Sequence, residues 1–353
     1  MKRIVLTGGG TAGHVTPNIA LIPGLKERGY EIFYIGSYNG IEKKLIEDLN
    51  IPYYGISTGK LRRYFDLKNI SDPFRVLKGI HEARQILKKI RPDIVFSKGG
   101  FVAVPVALAA NNLKIPLLIH ESDMTPGLAN RICIPYAVKV CCNFPETRDS
   151  LPEGKAFVTG TPIRQELLHG DADAGREFCE FNTEKPVLMV IGGSQGSVFV
   201  NTKIREALPE LLKNWQVVHL CGKGNLDESL DHTAGYRQYE YIKEQLPDLF
   251  AMADVVVSRA GANAICEISA LAKPNLLIPL GTNASRGDQI LNARSFEKQG
   301  YSIVLEEENL TEESLLEAVG KLYENRETYI KAMQGSSHTD SIRVILQLID
   351  NYS

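Results

Sequence analysis

Short apolar runs alternate along this chain with stretches whose apolar residues recur every three or four positions. Lys2–Thr7 reads as a buried strand, followed by a glycine-rich turn and a helix from about Thr16 to Arg28. Further strands are expected at Glu31–Ile35, Asp93–Ser97 and Pro116–His120. Between them, Val76, Ile80, Ala83 and Leu87 lie on one helical face. Short apolar strands joined through helices predict a parallel sheet covered on both faces.

The pattern breaks at a Gly-Thr-Pro stretch within Phe157–Pro162 and then restarts. Val187–Ile191 reads as a strand, Gly192–Gly196 as a second glycine turn and Val198–Leu212 as a helix. Val255–Ser258, a helix over Ala262–Leu271, and Leu276–Pro279 continue the series, and Glu312–Tyr323 and Asp340–Asp350 read as closing helices. VLTGGGTAGH near the start is echoed by VLMVIGGSQGS, a weak internal repeat placed where a second domain begins. The expected fold is therefore α/β, with two Rossmann-like parallel-sheet domains facing across a cleft. Residues 1–160 form the first domain, 161–338 the second, and the helix in 339–353 packs back on the first.

A length of 353 residues agrees with two domains at about 150 residues each. With 44% hydrophobic and 23% charged residues the composition is that of an ordinary globular protein, which excludes disordered, collagen-like and disulfide-scaffold chains. Forty basic against 42 acidic residues give a net charge of −2, so no global field favours nucleic acid and none is expected as partner. The charge is unevenly spread, however. Residues 60–91 hold ten basic and three acidic residues, interleaved with Leu61, Tyr64, Phe65, Leu67, Ile70 and Phe74. That mixture suits an anionic membrane surface. Ile4–Leu6 is too short an apolar run for a secretory signal, and no run approaches the roughly 18 apolar residues of a membrane span. A cytoplasmic protein is expected, and its six cysteines, without a CxxC pair, read as buried thiols.

Gly8, Gly10 and Gly13 satisfy G-x-G-x-x-G between a strand and a helix, a geometry in which backbone approaches phosphate. The second strand ends Ile35-Gly36-Ser37 without the carboxylate a nicotinamide enzyme would show there. Gly192–Gly196 matches the G-x-S-x-G nucleophile elbow, and Asp254 and His338 are the downstream partners it could nominate, but His338 sits in a polar Gly-Ser-Ser-His-Thr stretch that reads as a surface connection. A phosphate-cradling turn is the simpler reading. His120-Glu121 lacks the second histidine of a zinc helix, and Asp171-Ala172-Asp173 falls in a polar stretch read as a solvated loop, so no metal site is expected. His14 at the first turn has two open readings, a proton acceptor for a hydroxyl or a cap on the following helix. In SRAGANAICE a small-residue turn opens a helix, and Glu267 one turn on suits ribose hydroxyls.

Together GGGTAGH, SKGGFVAVP, HESDMTPGLANR, GTPIR, GGSQGS, SRAGANAICE and GDQILNA, in this order from residue 8 to residue 293, resemble the MurG family. That family transfers N-acetylglucosamine from UDP-N-acetylglucosamine to lipid I, forming lipid II of peptidoglycan. The resemblance implies a GT-B fold, with the lipid I acceptor domain first and the UDP-sugar domain second, docked peripherally on the cytoplasmic face of the cell membrane. A related transferase using another UDP-sugar or acceptor is the alternative. By the same resemblance Ser194 meets the diphosphate, Arg164 the nucleotide side, backbone at Ile242 the uracil, Glu267 the ribose and Gln289 the sugar hydroxyls. Thr11, Ala12 and Gly13 approach the reacting centre, with Asn130 a further polar contact. Ala12, Asp123 and Asp288 depart from the family's usual Gly, Asn and Gln, which leaves more of the sugar recognition to Gln289.

An α-linked donor and a β-linked product imply a single inverting displacement, which needs a base and a stabilised leaving group but no enzyme nucleophile. His14 is the expected base, with Glu121 as the alternative or as an orienting carboxylate. The helix N-terminus after Gly196 would hold the departing diphosphate, without metal or other cofactor.

Overall fold

The computed structural model describes residues 1–59, 68–193, 196–281, 287–335 and 340–353. The chain divides into two compact units, Met1–Arg164 with Asp340–Ser353, and Gln165–Thr339.

The first unit runs β1 (Arg3–Thr7), α1 (Thr16–Glu27), β2 (Glu31–Ser37), α2 (Ile41–Glu47), β3 (Tyr53–Ile56) and α3 (Lys68–Ile90). It continues through β4 (Ile94–Ser97), α4 (Ala103–Asn112), β5 (Leu117–Glu121), α5 (Leu128–Cys133), β6 (Lys139–Cys142) and β7 (Ala156–Val158). Its seven strands lie in the order β3-β2-β1-β4-β5-β6-β7, all parallel. The period of two along each strand divides the core. Val5, Ile35, Val95, Ile119 and Val140 pack with Ala83, Leu87 and Ala107 of α3 and α4. Ile4, Leu6, Tyr34, Phe96 and Leu118 pack with Leu21 and Leu25 of α1. Both faces are covered, so the strands carry apolar residues at successive positions rather than alternate ones.

The second unit contains α6 (Ala172–Cys179), β8 (Val187–Ile191), α7 (Val198–Asn214), β9 (Gln216–Leu220), β10 (Tyr236–Tyr239), α8 (Leu246–Met252) and β11 (Val255–Ser258). Then follow α9 (Ala262–Ala270), β12 (Asn275–Leu277), α10 (Asp288–Lys298), β13 (Ser302–Val304), α11 (Glu312–Glu324) and α12 (Arg326–Gln334). Its six parallel strands take the order β10-β9-β8-β11-β12-β13. Each unit thus repeats the doubly wound order, with the strand sequence reversing between β1 and β4 in one and between β8 and β11 in the other. In such sheets ligands sit beyond the carboxyl ends of the strands at that reversal, and both glycine turns lie there.

The last helix, α13 (Ser341–Tyr352), belongs to the first unit. Ile345, Leu346 and Ile349 enter the core beside α1, and a Cβ on Gly24 would come within 2.4 Å of Leu346 Cδ1. Asp350 pairs with Arg28 and accepts a 2.8 Å hydrogen bond from Tyr30 Oη. At the helix start Ser341 Oγ donates to Thr161 O at 2.6 Å, while Thr161 Oγ1 donates to Asn143 Oδ1 at 2.8 Å. These bonds tie the Gly-Thr-Pro stretch to the first unit, which extends through Arg164.

Candidate functional site

In the first unit the turn after β1 carries His14 at the end of a short 3₁₀ segment, Ala12–His14. Thr11 O accepts the His14 backbone N–H, and Thr11 Oγ1 lies 3.1 Å from His14 Nδ1, so the ring is oriented from within the turn. Burial and the nearby Lys98 ammonium push the His14 pKa down to about 4, while a backbone hydrogen bond at Gly9 and the Glu42 carboxylate act in the opposite sense. At neutral pH the imidazole is uncharged and carries a lone pair.

Two charged residues that motif reading passed over flank this turn. Lys98, 1% exposed after β4, donates to Ser122 Oγ. Glu42 on α2 is fully buried and accepts from Gly10 N at 3.2 Å and from Ser37 N at 2.9 Å. β2 itself ends on Ser37 without a carboxylate, as expected, but the following helix delivers Glu42 to its end. The Gly10 N–H is bound by the protein's own carboxylate.

Glu121 ends β5 and is buried, which raises its pKa, with hydrogen bonds from Asn130, Asp123 and Gly127 pulling the other way. Oε1 accepts from Asp123 N at 3.0 Å, and Oε2 accepts from Gly127 N at 3.0 Å and Asn130 Nδ2 at 2.9 Å. Both oxygens thus cinch the loop 122–127, as does the bond from Thr147 Oγ1 to Met124 O at 3.0 Å. This geometry suits an orienting carboxylate better than a base. Asn130 is buried and serves the same loop, its second amide bond reaching His120 O at 3.3 Å.

In the second unit the glycine turn leads into α7, capped by Ser197, whose Oγ accepts from Val200 N at 3.3 Å. Gly196 has φ +72°, and a Cβ there would meet Cys221 O at 1.9 Å, so only glycine brings the turn this close to β9. Arg259, at the end of β11, was missed as a side chain although its motif was noted. Its Nη2 donates to Ser197 Oγ at 2.7 Å and to Glu307 Oε1 at 2.6 Å, and its Nη1 to Ile278 O at 3.1 Å. It braces the helix start where an anion would bind. The signal available in sequence was an arginine directly after the buried strand Val255–Ser258.

Glu267 is half-buried on α9, and Ile242 is half-buried in the segment after β10. Gln289 lies in the first turn of α10, and its Oε1 accepts from Leu280 N at 3.0 Å. Arg164 Nε is buried without a hydrogen-bond partner among the described residues. Ser194, Gln195 and His338 lie outside the described residues. Thr11, Ala12, Gly13, His14, Glu121 and Asn130 thus gather at the strand ends of the first unit, and Ile242, Glu267 and Gln289 belong to the second.

Asp171 is not in a solvated loop. It is the N-cap of α6, accepting from Asp173 N at 2.8 Å and Ala174 N at 3.3 Å. Replacing Asp171 and Asp173 by alanine should leave turnover near wild type, with and without EDTA, while melting shows the loss of about 1 kcal/mol expected for a cap. Activity abolished by chelation and restored by manganese would overturn this reading of the pair.

Comparison with known proteins agrees with this geometry. The profile of the glycosyltransferase family 28 N-terminal domain matches residues 4–142, and that of the family 28 C-terminal domain matches residues 187–348. The UDP-N-acetylglucosamine–N-acetylmuramyl-(pentapeptide) pyrophosphoryl-undecaprenol N-acetylglucosamine transferase of Lachnospira eligens is 66% identical over 353 residues, covering 100% of both chains. The crystal structure of MurG from Acinetobacter baumannii superposes with a TM-score of 0.80 at 27% identity, covering 99% of this chain and 100% of that one. A UDP-N-acetylglucosamine 2-epimerase structure from Listeria monocytogenes reaches 0.75 at 13% identity, covering 100% of this chain and 97% of that one. That last likeness shows the shared fold alone.

Proposed function

The chain belongs to glycosyltransferase family 28, in its MurG branch, and from that membership we propose an inverting transfer in which His14 is the base. The reaction moves N-acetylglucosamine from UDP-N-acetylglucosamine to lipid I and yields lipid II for peptidoglycan synthesis. The observation that carries the assignment of the base is the uncharged imidazole of His14, held through Nδ1 by Thr11 at the strand reversal of the first unit.

The acceptor hydroxyl gives its proton to the His14 imidazole as its oxygen attacks the anomeric carbon from the face opposite UDP. The bond to the diphosphate breaks in the same displacement, inverting the configuration. The imidazole needs no prior deprotonation at working pH, although a pKa of about 4 makes it a weaker proton acceptor than a base matched to that pH. Negative charge collects on the leaving diphosphate at the N-terminus of α7, whose free N–H groups and dipole stabilise it. Arg259, itself paired with Glu307, fixes the capping Ser197 there. Glu267 accepts from the ribose hydroxyls, the backbone at Ile242 meets the uracil, and Arg164 contacts the nucleotide side. Glu121 and Asn130 shape the acceptor loop. The experiment that tests the reading is product formation from UDP-N-acetylglucosamine and a lipid I analogue, compared between wild type and His14→Ala.

The acceptor is a lipid, so the enzyme must reach a membrane surface. Among the described residues no helix is long and apolar enough to cross a bilayer. On α3, Phe74 is 73% and Leu77 63% exposed, beside exposed Arg75 and Lys78. Of the other basic residues expected to dock, Arg62 and Arg63 lie outside the described residues. We propose that this face of the first unit inserts its apolar side chains at an anionic leaflet, each nearby Lys or Arg contributing about 1 kcal/mol at low salt. Co-sedimentation with liposomes should require anionic lipid, weaken as salt rises, and drop when Phe74 and Leu77 become serine. Unchanged sedimentation of that double variant would place the docking surface elsewhere.

A further inference from the structure

A fully buried carboxylate stands beside the turn that carries the base, and the transfer chemistry makes no direct use of it. Glu42 Oε1 accepts from Ser37 N at 2.9 Å and Ser37 Oγ at 2.5 Å, while Oε2 accepts from Gly10 N at 3.2 Å. It therefore links the end of β2 to the turn after β1. The backbone is moulded around it from both sides. A Cβ on Gly9 would lie 2.5 Å from Glu42 Cδ, and one on Gly40 would lie 2.2 Å from its oxygens. Burying a carboxylate is costly unless it is hydrogen-bonded, and charge-assisted bonds of this kind are the strong ones.

We propose that Glu42 is the positioning residue of the catalytic turn, holding Gly10 so that Thr11 and His14 present the imidazole to the acceptor hydroxyl. The assignment rests on His14 as the base. The path is short and local. Gly10, with φ +88°, is fixed by Glu42 and leads directly into Thr11. Thr11 then holds His14 twice, through its carbonyl to the backbone N–H at 3.1 Å and through its hydroxyl to Nδ1 at 3.1 Å. On the opposite side the turn is confined by Gly100, where a Cβ would meet Gly9 O at 2.3 Å. A turn backed on one side and tied on the other has one position, and loss of the tie releases the Thr11 end. Misplacement of a base by about 1 Å is enough to cost roughly 10²-fold in rate.

The test is a double-mutant cycle with Glu42→Gln, which keeps the size but cannot accept from both Gly10 N–H and Ser37 N–H with one carbonyl. The expected result is a kcat at least about tenfold lower, with KM for UDP-N-acetylglucosamine and the affinity for UDP unchanged. In a His14→Ala background the same substitution should cost nothing further, because Glu42 acts through that imidazole. Glu42→Asp keeps the charge but falls short of spanning both donors, and it supplies the same comparison should the glutamine variant not fold. Wild-type kcat in the single variant would overturn the proposal. So would an equal loss in the His14→Ala background, which is the mark of a merely structural contribution. A near-normal His14→Ala enzyme is a separate result that removes the base assignment itself.

Discussion

His14→Ala is expected to lower kcat about 10²- to 10⁴-fold, the range usual for one general base, while UDP binds as in wild type. The expectation follows from placement. His14 lies in the first unit, and two of the residues assigned to the nucleotide, Ile242 and Glu267, lie in the second, while Arg164 ends the first. The loss should therefore appear in kcat with little change in KM for the donor. Retention of near-normal kcat by His14→Ala, with collapse in Glu121→Ala, would falsify the assignment and make Glu121 the base. The pH profile checks the same claim independently. A base works when unprotonated, and with its pKa near 4 His14 stays competent as pH falls well below neutrality. The acid limb governed by His14 thus lies near pH 4 in the wild type. Lys98→Met removes a positive charge that disfavours the imidazolium, so the pKa rises and the acid limb moves to higher pH. A limb that moves down or stays in place would show that another group governs it.

The second large effect concerns the donor. UDP-N-acetylglucosamine should be preferred over its C4 epimer, UDP-N-acetylgalactosamine, by up to about 10⁴-fold in kcat/KM. Gln289 has its carbonyl held by Leu280 N–H at 3.0 Å, which restricts how its amide can turn toward a hydroxyl of the opposite configuration. A site built to bond one hydroxyl leaves its own polar group unpaired with the wrong epimer, and that penalty is larger than the mere loss of a contact. With Asp288 in place of a second glutamine, the discrimination depends heavily on this one side chain. Gln289→Ala should bring the two donors much closer together, mainly by lowering activity toward UDP-N-acetylglucosamine. Equal turnover of both donors by the wild type would sink the assignment.

The central strands β1, β4, β5, β8 and β11 were legible because each is a short apolar run bounded by turn residues. Edge strands such as β3, YYGI, and β10, YRQY, were not, since glycine and polar residues at a half-covered edge blur the pattern. Strand β9, QVVHL, is wholly buried yet went unread. Its His219 would break an apolar run, and only the bonds to Tyr236 Oη and Asn201 Oδ1, both at 2.9 Å, make it a core residue.

The same division runs through the site. Both glycine turns, and the position of His14 in the first, were legible in the sequence, because a turn between strand and helix is a local structure written in consecutive residues, whereas Gln289 was singled out, and Glu267 assigned to the ribose, through the resemblance of their motifs. The family order of the motifs likewise needed no coordinates. Glu42, Lys98 and Arg259 were decided only by tertiary structure. Each touches a turn distant in sequence: Glu42 reaches back 32 residues to Gly10, and Arg259 reaches 62 back to Ser197. The partners of Glu121 and Asp171 likewise came only from the fold, a loop to cinch and a helix to cap. A carboxylate's residue type states that it can accept hydrogen bonds or a proton. Which of these it does depends on the donors that packing brings to its oxygens, and that is a property of the folded chain.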